Sequence, residues 1–340
     1  MASLDIFNDD AFSLVSLTEA VERLPAVNTQ LAAYFEQSSV ATDAVWVDLQ
    51  SGTLQVLATA ARGSVATHET GGRSRAAKAL SSVKIPTTIT MTAADIQNVR
   101  AFGTESDLET MQNLVNQKLQ DANANIDLTH EAHRAGAFRG VILDKDGTEL
   151  VNLFTLFGIT PNADVYLDLD NIETLTELRA ALDGIKNTIR AKAGRTPYTG
   201  VVAIAEQSAY QAFVNHPVVL EAFNRWQEGA WLRGDNGGNF SFQGVEFVEY
   251  IGTALADGEI RFAPKGVRGL FKTVYTPSDD VEVANTIGRP VYVMPQPMQN
   301  TKSWEAEVAS YPVHFCSRPE LLIGAFVGAE PVEGGEGGEG

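Results

Sequence analysis

The stretch SDLETMQNLVNQKLQDANANIDLTHEAHRAG, residues 106–136, carries the strongest helical pattern in the sequence. Ser106 is followed three residues later by Glu109, which is the spacing of a capping box at a helix N-terminus. Apolar residues then recur at steps of three and four, the period of one buried helix face: Leu108, Met111, Val115, Leu119, Ala122 and Ile126. At about 1.5 Å per residue the helix is roughly 40–45 Å long. The chain therefore contains one element that is longer than a small domain needs.

The end of this helix contains the motif HEAH, residues 130–133, which is similar to the paired histidines of zinc hydrolases. A zinc-binding helix of that kind places its histidines four residues apart, with two residues after the glutamate. His130 and His133 are only three residues apart, and no third ligand is evident in the sequence. We therefore expect a polar helix face here and keep a metal-dependent hydrolase only as an alternative.

On the N-terminal side, residues 1–42 hold more large apolar groups than they can bury among themselves. The run from Thr18 to Leu24 predicts a short helix, capped by Ser16 and ended by Pro25. The apolar residues are spread along the whole segment: Ile6, Phe7, Phe12, Leu14, Leu17, Val21, Leu24, Leu31, Tyr34 and Phe35. Such an arm has to bury these groups on another surface.

Between this arm and the long helix, the sequence predicts a hairpin and a projecting loop. Residues 44–57, AVWVDLQSGTLQVL, alternate apolar and polar residues on either side of Ser51 and Gly52. A basic segment, 62–84, then leads to a strand rich in β-branched residues, VKIPTTITM. The segment has a formal charge of +4 and the whole chain −18, which leaves −22 for the rest. A loop of about 25 residues between two strands is usually functional, and we expect an acidic surface to meet it.

After the long helix, the stretch GVILDKDGTELVNLFTLFG, residues 140–158, predicts a second hairpin that turns at Asp146 and Gly147. Its run DKDGTE is similar to the start of a calcium-binding loop. The series of oxygen ligands stops after Asp146, however, and Thr155 occupies the twelfth position, where calcium loops have a glutamate. The run is therefore interpreted as a β-turn.

The remainder of the chain predicts a separate mixed domain and a return to the first one. Residues 163–304 alternate strands with helices, one of which begins at a second capping box formed by Thr174 and Glu177. Residues 303–326 show strand-like alternation, and we expect them to pair with the sheet around residues 141–158. The mixed domain is then an insertion between two halves of one domain.

Composition and charge exclude several classes of function. With 340 residues, 44% of them hydrophobic, the chain can build sizeable cores, but no apolar run reaches the roughly 18 residues of a membrane span. The net charge of −18 argues against broad nucleic-acid binding, which needs a basic face. The single cysteine, Cys316, lies in an apolar run and is expected to be a core residue, not a reactive thiol. No catalytic set, metal site or cofactor motif is found.

Three stretches together make the sequence similar to a known family. They are IFNDDAFSLVSLTEAVERLP, then FEQSSVATDAVWVDLQSGTLQVLATAARG, and finally GEIRFAPKGV through RPVYVMPQPMQNTKSWEAEVASYPVHFCSRPELLIGAFVG. In this order, over residues 5–328, they resemble the phage major capsid protein E family, the lambda-type shell proteins with the Hong Kong 97-type capsid fold. The resemblance implies an α+β fold and a non-enzymatic subunit of the icosahedral head shell of a tailed double-stranded DNA phage. An encapsulin-like compartment protein is the alternative with the same fold.

The resemblance also implies a division of the chain into segments. These are an N-terminal arm (1–42), an extended loop (43–92), a peripheral domain with a long spine helix (93–160 and 305–328), an inserted axial domain (161–304) and an acidic disordered tail (329–340). The implied partners are further copies of the chain in hexamers and pentamers, a scaffolding protein and a portal, with a decoration protein left open. The shell would enclose double-stranded DNA without sequence-specific binding, contact no membrane, and be assembled in the host cytoplasm as part of the virion.

Two groups of residues are expected at the contacts between subunits. The apolar anchors of the arm are Ile6, Phe7, Phe12 and Leu17, and the basic residues of the loop are Arg62, Arg73, Arg75 and Lys78. Each contact is modest, but a closed shell repeats it in every subunit. For some residues of the arm, packing under their own long helix is an open alternative.

Overall fold

The computed structural model describes residues 12–23, 29–51, 74–92, 95, 107–194, 196–226, 239–296 and 303–330. Its α-helices are α1 (Leu14–Glu22), α2 (Asp107–Arg139), α3 (Leu153–Phe157), α4 (Leu175–Ala193), α5 (Gln207–Val214) and α6 (Pro217–Trp226). The first strands are β1 (Glu36–Ser39), β2 (Ala44–Ser51), β3 (Ser74–Ser81), β4 (Ile85–Thr92), β5 (Val141–Leu143), β6 (Glu149–Asn152), β7 (Val165–Leu167) and β8 (Gly200–Glu206). The others are β9 (Asn239–Phe242), β10 (Val245–Tyr250), β11 (Glu259–Lys265), β12 (Phe271–Tyr275), β13 (Tyr292–Pro295), β14 (Ser303–Ser310), β15 (Pro312–Cys316) and β16 (Ile323–Val327). The fold is therefore α+β, as predicted.

Helix α2 confirms the long helix that the sequence predicts. It comprises 33 residues, which corresponds to about 50 Å at 1.5 Å per residue. It ends at Arg139, and Gly140 follows with a φ of +85°, a conformation that favours glycine. The predicted stripe residues whose side chains are described are all buried: Val115, Leu119, Ala122 and Ile126. Ser106, at the predicted capping box, lies outside the described residues.

The chain divides into two compact units. The first comprises Met1–Val47, Ala77–Arg134 and Phe271–Phe315, and the second comprises Asp48–Ala76, Ala135–Leu270 and Cys316–Gly340. In the first unit, β14 lies between β13 and β4, antiparallel to both, and pairs with β4 over its whole length from Ser303↔Thr92 to Ser310↔Ile85. A second sheet has the order β1–β12–β15, in which β1 runs parallel to β12.

The apolar core of the first unit lies between the sheet β13–β14–β4 and the helices α1 and α2. Both helices contribute their buried faces, and the sheet contributes alternate residues, because successive side chains of a strand point to opposite faces. Its principal members are Phe12, Leu17, Val21, Ile89, Met91, Val115, Leu119, Ile126, Val293, Trp304 and Val308.

The second unit is built on a six-stranded sheet of order β7–β16–β11–β8–β10–β9. Strand β8 lies inside it, parallel to β10 and antiparallel to β11, and its apolar run is buried on both faces. Helix α4 packs on this sheet, and its predicted capping box is confirmed: Thr174 accepts from the amide of Glu177, whose carboxylate accepts from the amide of Thr174. The predicted end of this helix at Gly194 is confirmed as well.

The expected partner of residues 303–326 is wrong. Strands β5 and β6 form a two-stranded sheet, whereas β14 pairs with β13 and β4, and β16 pairs with β11 and β7. Alternation identifies a segment as a strand, but its partner is chosen by packing against both faces, which no local pattern contains.

Strand β2 also takes a partner that the sequence did not predict. The predicted return strand around Leu54 and Val56 lies outside the described residues. Within the described residues, β2 pairs with β3, which lies in the segment interpreted as loop. That interpretation is wrong for residues 74–81, because a strand with several Ala, Ser, Arg and Lys residues has low intrinsic β propensity and depends on its partner.

Helix α1 begins earlier than predicted. Ser13 is the N-cap, and its hydroxyl accepts from the amide of Ser16, which therefore lies in the first turn instead of capping the helix. Leu14 and Leu17 are buried within the same turn, so packing extends the helix by four residues at its start. None of the helices in the described part of the chain is both long and apolar enough to cross a membrane.

Candidate subunit contacts and a buried histidine cluster

Two of the predicted arm anchors are buried within the chain itself. Phe12 is 2% exposed and Leu17 is 3% exposed, both in the core of the first unit. The ring of Phe12 meets Trp304 edge-on, with the ring centroids 6.2 Å apart. Ile6 and Phe7 lie outside the described residues. For Phe12 and Leu17 the structure thus places the side chains as the alternative of packing within their own subunit expects.

The predicted basic contacts lie on or near a two-stranded ribbon, β2 with β3. Lys78 of β3 is exposed, and Arg75 lies on the same strand, whereas Arg62 and Arg73 lie outside the described residues. On β2 the indole of Trp46 is 68% exposed, between the buried Val45 and Val47. The ribbon therefore carries an exposed aromatic side chain on β2 and an exposed basic side chain on β3.

Sequence reasoning missed this exposed tryptophan as a contact candidate. Its signal was available, because the alternation of Val45 and Val47 places residue 46 on the opposite face of the strand. Other large apolar side chains are also exposed among the described residues, namely Val15, Leu128, Ile251, Val281 and Ile287. Leu128 lies off the buried stripe of helix α2, so its exposure also agrees with the helical period, whereas Ile251 and Ile287 lie outside the helices and strands, where no period applies.

The polar face expected near the end of helix α2 is buried inside the protein. His130, Glu131, His133 and Arg134 are all almost completely buried within the first unit. The Oε1 atom of Glu131 accepts from the amide of Leu31 at 2.8 Å, and Arg134 donates to the hydroxyl of Thr29 at 3.4 Å. These polar groups hold the arm segment around residues 29–34, in which Leu31 is also buried.

Four side chains of the first unit form what we call the histidine cluster: Ser310, His130, His314 and Thr273. His130 Nδ1 lies 2.9 Å from His314 Nε2, and His130 Nε2 lies 3.0 Å from the hydroxyl of Ser310. His314 Nδ1 lies 2.9 Å from the hydroxyl of Thr273. All four residues are buried. All ring nitrogens of the two histidines are thus engaged in hydrogen bonds inside the protein.

The electrostatic setting of the cluster keeps both imidazoles neutral. Burial, together with the nearby charges of Arg134 and His133, lowers the pKa of His130 to about 3. Burial also holds the pKa of His314 well below its usual range, with His130 and Arg134 acting in the same direction. A buried imidazolium next to a guanidinium would be strongly unfavourable.

The second unit has a charged network around one buried carboxylate. Arg139 donates to both oxygens of Glu259, at 3.0 Å from Nε and 2.7 Å from Nη2, and Arg261 donates to Oε1 at 2.5 Å. Burial alone would raise the pKa of Glu259, but the bonds from Arg139 and the charge of Arg261 outweigh it and hold the pKa below its ordinary value. Both arginines line a cleft of about 550 Å³ with Asp164 and Phe154.

The remaining sequence candidates have structural roles. Asp144 and Gly147 close the turn between β5 and β6, since the amide of Gly147 donates to the carbonyl of Asp144. Cys316 is fully buried, and burial raises the pKa of its thiol well above the ordinary value, so it is a core residue as predicted. In the described part of the chain, no three His, Cys, Asp or Glu residues are grouped so that they could hold a metal ion.

Comparison with known proteins places this fold among viral shell proteins. The sequence matches the model of the family Phage major capsid protein E over residues 13–327. It is 25% identical over 273 residues, 68% of this chain and 73% of the relative, to the major capsid protein of Salmonella phage Felix O1 (isolate Felix O1-VT1).

Two solved structures share the fold. The capsid of Ralstonia phage GP4 gives a TM-score of 0.52 at 10% identity, over 92% of this chain and 95% of that one. A phage-related protein from Bordetella bronchiseptica RB50 gives a TM-score of 0.50 at 14% identity, over 91% of this chain and 95% of that one. Both likenesses extend over nearly the whole chain, so they concern the complete fold and not one unit of it.

Proposed function

Because this chain belongs to the phage major capsid protein E family, it is a structural shell protein of a tailed-phage head and not an enzyme, and we propose here how it assembles. Its Hong Kong 97-type fold and its self-assembly into the virion capsid follow from the family. In our proposal, subunits associate as hexamers and pentamers with residues 1–42 as an arm, 43–92 as an extended loop, and 161–304 as an axial domain. Residues 93–160 and 305–328 then form the peripheral domain, and 329–340 an acidic tail.

The observation that carries this proposal is the exposed side chain of Trp46 on the ribbon β2–β3. A two-stranded ribbon is at best marginally stable in water, and an exposed tryptophan such as Trp46 is typical of the centre of a protein interface. A ribbon laid over a neighbouring subunit would bury the indole and gain roughly 1.5–3 kcal/mol from a large side chain. The shell repeats that gain in every subunit.

Charge complementarity supports a second copy of the chain as the neighbour. The segment 62–84 is +4 and the rest of the chain is −22. The described surface offers acidic side chains beside exposed apolar ones, as at Glu282 beside Val281. Complementary charge of this kind sets register and excludes wrong contacts more than it adds affinity.

The other proposed partners follow from the same role. A scaffolding protein and a portal would direct closure of the shell in the host cytoplasm, and a decoration protein stays an open partner. The net charge of −18 suits a shell around double-stranded DNA. The chain offers few cationic side chains to the DNA phosphates, so the genome can be packed and released without binding strongly to the shell.

The test is assembly of the full-length chain with the scaffolding partner of its own phage, followed by electron microscopy. Wild type should form closed particles tens of nanometres across. The variant Arg73→Glu, Arg75→Glu, Lys78→Glu should fail to close or form aberrant particles, because reversed charges repeat their penalty in every subunit. The matched control Arg73→Lys, Arg75→Lys, Lys78→Arg keeps the charge and should assemble.

Two results would contradict the proposal. One is normal assembly of the charge-reversed variant, and the other is unfolding of that variant as an isolated subunit, because these residues would then belong to the subunit's own core. Particles from phage-producing cells should also contain nuclease-protected double-stranded DNA. Enclosed enzymes instead of DNA would support the encapsulin-like alternative.

A further inference from the structure

The hydrogen bonds of the histidine cluster have a single possible direction. The hydroxyl of Ser310 lies 2.5 Å from the carbonyl oxygen of Pro290, which can only accept, so the serine proton is used there. The serine oxygen must then accept from Nε2–H of His130. His130 Nδ1 is left as an acceptor, so Nε2–H of His314 donates to it, and the hydroxyl of Thr273 donates to Nδ1 of His314. Both neutral histidines therefore carry their proton on Nε2.

Protonation of either histidine would disrupt this hydrogen-bond arrangement. Protonated His130 would direct Nδ1–H at Nε2–H of His314, donor against donor. Relief would require His314 to move its proton to Nδ1 and the hydroxyl of Thr273 to rotate away. Both rearrangements would take place in the protein core, where a buried donor without a partner costs free energy.

Of the groups around the cluster, Arg134 and His133 oppose its protonation, and the nearby carboxylates are those of Asp127, which acts on Tyr275, and Glu131. Arg134 and His133 of helix α2 act on both histidines, with the His133 ring centroid 6.0 Å from that of His314. From β12, Tyr275 places its ring 6.0 Å from that of His130. Glu131, the buried carboxylate of the same helix turn, is engaged by the amide of Leu31 and by Arg134 at 3.5 Å.

We propose that Ser310, His130, His314 and Thr273 form a one-directional hydrogen-bonded lock that holds helix α2 and both sheets of the first unit together, and that acid opens this lock. His130 belongs to α2, Ser310 to the sheet β13–β14–β4, and His314 and Thr273 to the sheet β1–β12–β15. The inference is independent of how the shell is assembled, because it concerns groups within one subunit.

The first test is nuclear magnetic resonance of the full-length subunit labelled with ¹⁵N-histidine, with His130→Gln and His314→Gln used to assign the signals. The chain has five histidines, so the spectrum is simple. Both assigned imidazoles should show the Nε2–H tautomer and no titration between pH 8 and pH 5.5. An Nδ1–H tautomer for either, or a titration midpoint near 6.5, would overturn the proposal.

The second test measures hydrogen exchange of α2 peptides from residues 115–130 between pH 7 and pH 5, corrected for the intrinsic pH dependence. An ordinary unfolded histidine titrates near 6.5 and the buried pair does not, so opening should become more favourable as pH falls below 6.5. The expected gain approaches about tenfold per pH unit for each histidine, and about a hundredfold for the pair.

Two variants separate the lock from simple packing. Thr273→Val removes the last donor but keeps both histidines, so it should lower protection at every pH and leave the pH slope as in wild type. The double variant His130→Gln, His314→Gln should flatten the slope between pH 6.5 and pH 5. The proposal is wrong if wild type shows no such slope, or if the double variant retains it.

Discussion

The two units of this subunit hold themselves together by different means. The second unit has an apolar core of sheet and helix residues, such as Phe247 stacked on Phe213 with ring centroids 4.2 Å apart. The first unit also has an apolar core, but the C-terminal part of α2 is buried through His130, Glu131, His133 and Arg134. In an apolar core, the stability lost on substitution scales with the volume removed. In a buried polar cluster, the loss of one partner leaves another group without its hydrogen bond.

The two units should therefore respond differently to substitution. Removal of a core aromatic ring in the second unit should cost stability equally at all pH values, since no proton is involved. Loss of a partner in the first unit should leave a donor or acceptor unpaired, and its stability should depend on pH.

The largest effect is expected in the apolar core of the second unit. Phe247→Ala should lower the free energy of unfolding by about 3–5 kcal/mol, because it removes a buried ring that also contacts Phe213 and Phe262. Phe247→Leu, the volume-preserving control, should cost less than about 1.5 kcal/mol. Urea denaturation at pH 7.5 and pH 5.5 measures the loss of unfolding free energy for both variants. If the loss for Phe247→Ala differs between the two pH values, the proposed contrast between the two units is wrong.

The next effect, comparable in size, is expected from the loss of one histidine of the first unit. His314→Leu leaves His130 Nδ1 and the hydroxyl of Thr273 without partners, at about 1–3 kcal/mol for each buried group left unsatisfied. The double variant His130→Leu, His314→Leu should cost less than the sum of the two single losses, because each single change already breaks the shared bond. Strict additivity in urea denaturation would show that the two imidazoles act separately.

Acid should affect the two units in different pH windows. The folded pKa of Glu259 lies below its unfolded value of 4.5, so its contribution is present above 4.5 and lost as pH falls below that value. The histidine cluster loses stability already below 6.5. Hydrogen exchange at pH 5.5 should therefore weaken protection in α2 while strand β11 keeps its own, and the opposite order would contradict both assignments.

The smallest effects concern two of the helix caps, one chosen from each unit. Ser13→Ala and Thr174→Ala should each cost about 1 kcal/mol, because each removes a side-chain acceptor for a first-turn amide. Ser16→Ala is the matched control, since Ser16 lies inside helix α1, and it should cost clearly less than Ser13→Ala. If thermal unfolding shows a larger loss of stability for Ser16→Ala than for Ser13→Ala, then Ser16 and not Ser13 is the cap.

Much of the second unit could be predicted because its signals are local. The capping box of Thr174 and Glu177, the stripe of Leu178, Leu182 and Ile185, and the buried run of β8 all lie in consecutive residues. Helix propensity, capping and period act over one or two turns, so the sequence contains them in full.

The long helix α2, the capped helix α4, the uneven charge and, through extended similarity, the capsid family could all be predicted from the amino-acid sequence. That HEAH belongs to a buried cluster depends on tertiary contacts, because His314 and Ser310 reach His130 from at least 180 residues away, and Thr273 bonds His314 in turn. Only the tertiary structure decided that β14 pairs with β4 and that Phe12 packs on Trp304. Strand pairing and core packing depend on which surfaces come into contact. The free energy of that contact is shared among residues far apart in the sequence, so no local pattern contains it.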